Sequence, residues 1–266
     1  MNKGIKYEIF GGGFLGTYLS KNLEGVVLNK SRLLDEGSIK KSIQGSTADV
    51  IINCIGKTGN PNVDWCEKNK YATYFSNTML PIIMAQECYA YGKKFINIGT
   101  GCVFHSDEML DDNATPNFFG SFYSRTKLMA EDVIVEIPNT TNIRIRLPIS
   151  GENSPKNFLY KANKYQKVTK IPNSVTFVRD IANGIEFIVE NEMYGNINLV
   201  HPKPTTIMEV ASIMGRDNYT VVESQEDLNV GKRANTVLNP ARLLFKGFKF
   251  VDFEQELKKC VLEMNN

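Results

Sequence analysis

Tyr7-Glu8-Ile9-Phe10-Gly11-Gly12-Gly13-Phe14-Leu15-Gly16 joins a short apolar run to a G-x-G-x-x-G turn, and Thr17 to Leu23 then carries helical spacing. A strand, a glycine turn and a helix in that order make a dinucleotide-binding signature. The glycines let the backbone approach a pyrophosphate, which the unpaired N–H groups of the helix N-terminus hold. Gly11, Gly13, Phe14, Leu15 and Gly16 are therefore candidate cofactor residues. The next strand, Gly25 to Asn29, lacks the acidic residue that would bind a ribose 2′-hydroxyl, and Lys30 and Arg32 follow it. A guanidinium there suits a 2′-phosphate, so Asn29 and Arg32 point to NADPH rather than NADH.

Outward from this turn the chain alternates. Apolar runs at 50–55, 95–98 and 143–147 are separated by helical stretches near 70–91 and 121–136, the pattern of an α/β fold with a Rossmann-type doubly wound parallel sheet. Ligands of such sheets bind beyond the carboxyl ends of the strands. Ile55, Gly56 and Lys57 fall there, as do Thr100-Gly101-Cys102 and Pro148-Ile149-Ser150, adding Ile55, Gly56, Lys57 and Pro148 to the cofactor set. After residue 150 regularity falls, with helical spacing returning at 178–192 and 240–263. We expect residues 1–150 to form an NADP-binding Rossmann domain on which 174–200 and 238–266 pack back. Residues 151–173 and 201–237 then make a smaller C-terminal substrate-binding lobe.

Three Tyr-x-x-x-Lys pairs occur, Tyr89/Lys93, Tyr123/Lys127 and Tyr160/Lys164, and among eleven tyrosines such spacing arises readily by chance. Context selects the second. Only Tyr123 follows, at helix-after-loop distance, an apolar strand ending in a hydroxyl, Phe95-Ile96-Asn97-Ile98-Gly99-Thr100. On a helix, positions i and i+4 share a face, and a nearby ammonium favours the phenolate. Thr100, Tyr123 and Lys127 thus form a set that can protonate a ketone oxygen as hydride arrives.

A chain of 266 residues with 42% hydrophobic and 23% charged residues can bury a sizeable core. A net charge of +2, carried by scattered basic residues, gives no case for nucleic acid. No apolar stretch approaches about 18 residues and the chain enters a strand at once, so neither a membrane span nor a signal peptide is expected, and the cytoplasm is the default location. Five cysteines without a C-x-x-C pair, and two separated histidines, argue for reduced thiols and against a metal site.

The order of glycine loop, strand-end Thr and Tyr-x-x-x-Lys resembles an extended short-chain dehydrogenase/reductase. More narrowly, five segments resemble the bifunctional 3,5-epimerase/4-reductases of plant-type nucleotide-rhamnose synthesis, which share their reductase core with the dTDP-4-dehydrorhamnose reductases. They are Thr58 to Glu67, Thr100-Gly101-Cys102-Val103-Phe104, Pro116 to Lys127, Arg144 to Ser150 and Ile171-Pro172-Asn173-Ser174. The resemblance implies NADPH-dependent conversion of UDP-4-keto-6-deoxy-glucose to UDP-L-rhamnose, with Lys127 also holding the nicotinamide ribose.

It further implies that Cys102 and Lys161 serve as base and acid for epimerisation. By residue chemistry alone, Cys102 is a small buried hydrophobe and Lys161 a solvated charge. Simple rhamnose reductases resemble Thr-Asp-Tyr where this chain has Thr-Gly-Cys. The alternatives are therefore a dTDP-4-dehydrorhamnose reductase without epimerase activity and a non-catalytic NADP-binding regulatory subunit. The resemblance also implies that Arg233 and Asn157 meet the nucleotide sugar and that Asn77 supports the fold. The family's usual G-x-x-G-x-x-G loop is one residue longer than Gly11 to Gly16. The Tyr123 helix often builds dimers in the superfamily, which makes a homodimer compatible with the sequence.

Overall fold

The computed structural model describes residues 4–60, 62–224 and 233–265. Pro61, Lys232 and the 225–231 part of the expected lobe lie outside these. Strand β1 (Tyr7–Phe10) runs into helix α1 (Phe14–Asn22), followed by β2 (Val26–Asn29), α2 (Glu36–Gln44) and β3 (Val50–Asn53). All four β3 residues are buried, because the sheet is covered on both faces. Successive side chains point to opposite sides. Val50 and Ile52 enter a core with Ile9, Leu19, Ile96 and Ile143, while Ile51 joins Phe10, Ile39, Met84 and Phe95. Each fully buried isoleucine contributes roughly 1.5–3 kcal/mol of transfer free energy.

Beyond β3 come α3 (Trp65–Lys68), α4 (Lys70–Tyr74), a π-helical turn (Phe75–Met79), α5 (Leu80–Ala90) and β4 (Lys94–Ile98). The helix predicted over 70–91 is thus interrupted at its centre. Strand β5 (Met109–Leu110), helix α6 (Phe122–Ile134), strand β6 (Thr140–Arg144) and strand β7 (Pro148–Ile149) follow. Strand β6 ends three residues before the expected Leu147, which takes a left-handed φ of 39° ahead of Pro148. An L-residue at such an angle cannot continue a strand.

The second half comprises α7 (Phe158–Lys164), β8 (Lys167–Thr169), β9 (Thr176–Phe177), α8 (Val178–Glu190), β10 (Gly195–Asn198), α9 (Ile207–Ile213), β11 (Thr220–Val222), β12 (Val237–Leu238), α10 (Ala241–Lys246) and α11 (Phe253–Asn265). Gly247, at φ 91°, separates the last two helices where one was expected. The main sheet has six parallel strands in the order β10-β6-β4-β3-β1-β2. A smaller parallel pair, β8 with β11, stands apart from it beside α7 and α9. Helix α11 places Phe253, Leu257 and Cys260 in a core shared with Phe158, Leu159 and Val210. No helix among the described residues is long and apolar enough to cross a membrane.

The register aligns four asparagines at one level, since Asn53 faces Asn97, Asn97 faces Asn142 and Asn142 faces Asn196. Their amides bond in series across the sheet. Asn53 donates to Asn97 at 2.8 Å, Asn97 to Asn142 at 2.8 Å and Asn142 to Asn196 at 2.9 Å. The chain order reverses between β1 and β3, so the loops leaving these two strands flank the crevice where such folds take ligands.

Candidate active site

The glycine turn is pressed against the loop after β3. A Cβ on Gly11, which has φ 109°, would lie 2.9 Å from the Cys54 carbonyl carbon, and one on Gly16 would lie 1.9 Å from the Gly11 oxygen. Only glycines let α1 start this close to β1. Gly13 caps α1 without any side-chain hydrogen bond, and a Cβ built on it would meet nothing within 4 Å. The helix N-terminus therefore opens onto free space, a cradle suited to a pyrophosphate. Lys30 leans over this mouth, its Cγ 3.7 Å from where a Gly12 Cβ would be, and exposed Arg32 lies two residues on. Asn29 faces inward instead, donating to Glu8 Oε1 at 2.8 Å and accepting the Ser31 N–H at 2.8 Å, which shapes the turn that presents both cations.

Opposite, Asn77 in the π-helical turn grips the loop carrying Ile55, Gly56 and Lys57. Its Oδ1 accepts the Lys57 N–H at 2.7 Å and its Nδ2 donates to the Lys57 carbonyl at 3.0 Å. The same amide donates to Thr126 on α6 at 3.3 Å, and Thr78 donates to the Thr126 carbonyl at 2.7 Å. π-Helical insertions recur at functional sites because they turn a side chain out of the helical register. Here the insertion ties the candidate cofactor loop to the helix bearing Tyr123 and Lys127.

That helix is capped by Ser121, which accepts the Ser124 N–H at 3.1 Å, and Ser124 Oγ donates to the Cys102 carbonyl at 2.6 Å. Thr100 Oγ1 accepts the Cys102 N–H at 3.1 Å. The strand-end loop and α6 are thereby joined, and Thr100, Cys102 and Tyr123 meet. Tyr123 and Lys127 are 8% and 7% exposed. Burial pushes the phenol above its ordinary range, and the nearby Cys102 sulfur adds to this; the hydrogen bond with Thr100 and the charge of Arg146 pull the other way. The expectation that Lys127 would favour the phenolate is corrected here, since burial dominates and the ammonium donates to the Ile98 carbonyl at 2.9 Å. Burial also lowers Lys127 to about 8, against the opposing charge of Glu131.

The other two Tyr-x-x-x-Lys pairs stand elsewhere. Tyr89 is 54% exposed and Lys93 donates to the Ser46 and Ala48 carbonyls, while Lys164 stacks over the Tyr160 ring at 4.5 Å. Lys161, on the same helix as that second pair, faces the site. Burial lowers its pKa, the charges of Lys156 and Arg233 lower it further, and Cys102 opposes them. Lys156 reaches across the cleft to Thr58 Oγ1 at 2.7 Å and to the Gly59 carbonyl. Arg233 makes a second crossing, pairing in a fork with both Asp64 oxygens at 2.7 and 2.9 Å.

Asn157, expected to meet the nucleotide sugar, is fully buried, accepts from the Leu159 N–H at 3.2 Å and donates to the Ser150 and Glu152 carbonyls at 2.7 Å each. Its amide closes the loop before α7, the helix that carries Lys161. Pro148 begins β7 beside strained Leu147, at the same carboxyl edge. Arg146 was missed by sequence reasoning, though it is 4% exposed and its Nη1 lies 2.9 Å from Cys102 Sγ. The signal was present: two arginines inside the apolar run Ile143-Arg144-Ile145-Arg146 are out of place unless paired.

Relatives fit this arrangement. A trifunctional UDP-glucose 4,6-dehydratase/UDP-4-keto-6-deoxy-D-glucose 3,5-epimerase/UDP-4-keto-L-rhamnose-reductase of Arabidopsis thaliana is 33% identical over 262 residues, covering 90% of this chain and 39% of that protein. The chain thus spans about two fifths of the trifunctional protein's length. A bifunctional dTDP-4-dehydrorhamnose 3,5-epimerase/dTDP-4-dehydrorhamnose reductase from the same plant is 32% identical, with 96% of this chain and 90% of that one covered. The crystal structure of a UDP-rhamnose synthase from Acanthamoeba polyphaga mimivirus superposes with a TM-score of 0.88 at 27% identity, covering 97% of this chain and 99% of that one. The model of the RmlD substrate binding domain matches residues 9–263, nearly the whole length, and the chain belongs to that family.

Proposed function

We propose that the chain is an NADPH-dependent 3,5-epimerase/4-reductase that converts UDP-4-keto-6-deoxy-glucose to UDP-L-rhamnose. The observation that carries this reading is the meeting of a hydroxyl, a phenol, a thiol and two depressed lysines at one strand edge, in Thr100, Tyr123, Cys102, Lys127 and Lys161. When bound, NADPH supplies a hydride. The turn from Gly11 to Gly16 receives the pyrophosphate, Lys30 and Arg32 meet the 2′-phosphate, and Lys127 holds the ribose. Lys57, held by Asn77, borders the same crevice.

In reduction, Tyr123 is kept protonated by burial and gives its proton to the C4 oxygen, while Thr100 donates a hydrogen bond to that atom. Epimerisation uses the same carbonyl. The C–H bond at C3 or C5 breaks, its proton forms an S–H bond on Cys102, and the electron pair moves to the C4 oxygen as an enolate that Thr100 and Tyr123 stabilise. Lys161 returns a proton from the opposite ring face, inverting the centre. Depression of Lys161 by burial and by neighbouring cations makes it a readier proton donor than a solvated lysine. Arg233 exchanges Asp64 for the substrate diphosphate, which offers the same forked acceptor geometry.

Incubation with NADPH and either UDP- or dTDP-4-keto-6-deoxy-glucose in heavy water tests the reading. We expect NADPH oxidation with deuterium at C3 and C5 of the product. Oxidation only with an already epimerised ketone, and no deuterium, would leave a reductase alone.

A further inference from the structure

Arg146 and Arg144 lie two residues apart at the end of one strand, yet they are balanced in different ways. Arg144 is paired with Glu131, Nε at 3.1 Å and Nη2 at 2.5 Å. Arg146, equally buried, forms no salt bridge among the described residues. Its Nη2 donates to Asn173 Oδ1 and, at 2.9 Å, to the Ala234 carbonyl, both neutral acceptors; its Nε meets no partner among the described residues; its Nη1 donates to Cys102 Sγ at 2.9 Å. Removing one charge from water without an anion is strongly unfavourable. Among the hydrogen-bond partners of this guanidinium in the described residues, the sulfur is the one that can supply a negative charge.

We propose that Arg146 is a positioning residue that holds Cys102 Sγ as an anion aimed into the sugar site, so that the thiolate serves as the proton acceptor of epimerisation. This rests on the epimerase reading above. Two further observations support it. A Cβ on Gly101 would lie 2.6 Å from Leu238 Cδ1, 2.9 Å from Arg146 Cγ and 3.0 Å from Arg146 Cδ, so the glycine before the cysteine makes room for Leu238 and for the arginine stem. The Gly-Cys pair therefore reads as one unit, a gap for the stem and an acceptor for the head. Among the described residues, Tyr123 and Lys127 on α6 and Lys161 on α7 are titratable groups that interact with the sulfur. Burial draws both lysines toward neutrality, whereas a guanidinium keeps its charge at any pH the protein survives. Arg146 is thus the constant cation beside the thiol.

The test is the rate at which iodoacetamide labels Cys102 as a function of pH, read on the Cys102 peptide by mass spectrometry. In R146Q the rate curve should move to higher pH, with labelling at neutral pH slower by roughly tenfold or more and converging on wild type in alkali. G101A, which crowds the arginine stem without removing the charge, should move the curve the same way by less, and R146K should recover part of the loss. C3/C5 exchange in R146Q should fall by a larger factor than reduction of an already epimerised ketone. Superimposable labelling curves in wild type, R146Q and G101A would overturn the proposal, and G101A alone decides if R146Q does not fold. Wild type that shows no exchange while the labelling shift persists would refute the epimerase reading and leave the Arg146 contact standing. Normal exchange with an unshifted curve would refute Arg146 only.

Discussion

Tyr123 and Cys102 sit side by side and are proposed to divide the chemistry of one carbonyl. Because burial keeps the phenol protonated, Tyr123 would enter the proposed cycle as a neutral acid with no base supplied to it. Removing its hydroxyl would take away the proton proposed for the C4 oxygen. Y123F should therefore lower the reduction rate by about 10²-fold or more, the usual contribution of a positioned acid, in an assay of NADPH consumption. An unaffected rate would reassign the acid. C102S nearly keeps the size of the side chain and keeps the Thr100 contact to its backbone but replaces the sulfur proposed to accept the C3 or C5 proton with a hydroxyl oxygen. We expect it to reduce an already epimerised ketone at a rate near wild type while losing deuterium incorporation at C3 and C5. Undiminished exchange would take Cys102 out of the mechanism.

At the level of elements, the asparagine ladder fixes strands β3, β4, β6 and β10 in one register at the edge where the site forms. Ile55, the first of the candidate cofactor residues after β3, donates its N–H to Asn53 at 3.0 Å, so the ladder ends on that loop. N97A would orphan the Asn53 amide nitrogen and the Asn142 carbonyl oxygen, at a cost of about 1–3 kcal/mol for each group. The urea midpoint should fall accordingly, with little change in slope; an unchanged midpoint would show that water repairs the gap. None of this ladder was legible in the sequence, because Asn53, Asn97 and Asn142 come together only after the register is known. Glycine turn, strand-end Thr100 and the Tyr123/Lys127 pair were legible, since each is a local pattern whose spacing carries its own geometry. The end of β6 was misread because Ile143-Arg144-Ile145-Arg146-Leu147 keeps alternating beyond Arg144, where the strand's ladder partners run out, three residues before the left-handed backbone at Leu147. Likewise the π-helical turn at Phe75–Met79 lies in residues that read as ordinary helix.

Across the whole molecule, charge is distributed so that pH acts on stability and on ligand binding through different groups. Asp180 at the start of α8 is raised from 3.8 to about 7 by burial, despite the hydrogen bond from the Val251 N–H, and its Oδ2 meets no partner among the described residues. A carboxyl with a raised folded-state pKa binds its proton more tightly folded than unfolded. Its contribution is thus fully present below pH 3.8 and is lost as pH rises to about 7. D180N should match wild type near pH 4 and exceed it in melting temperature at pH 8; a constant difference across this range would refute the assignment. Lys127 behaves otherwise. At about 8, its ammonium is only about half populated in mildly alkaline buffer. Ribose hydroxyls accepting from that ammonium would restore the charge, so docking of NADPH would draw a proton out of solution. Calorimetric binding heats at pH 8 should then scale with the ionisation enthalpy of the buffer, and the slope should vanish near pH 6 and in K127M. The lysine proposed to hold the cofactor would thereby make each binding event a small, countable act of alkalinisation.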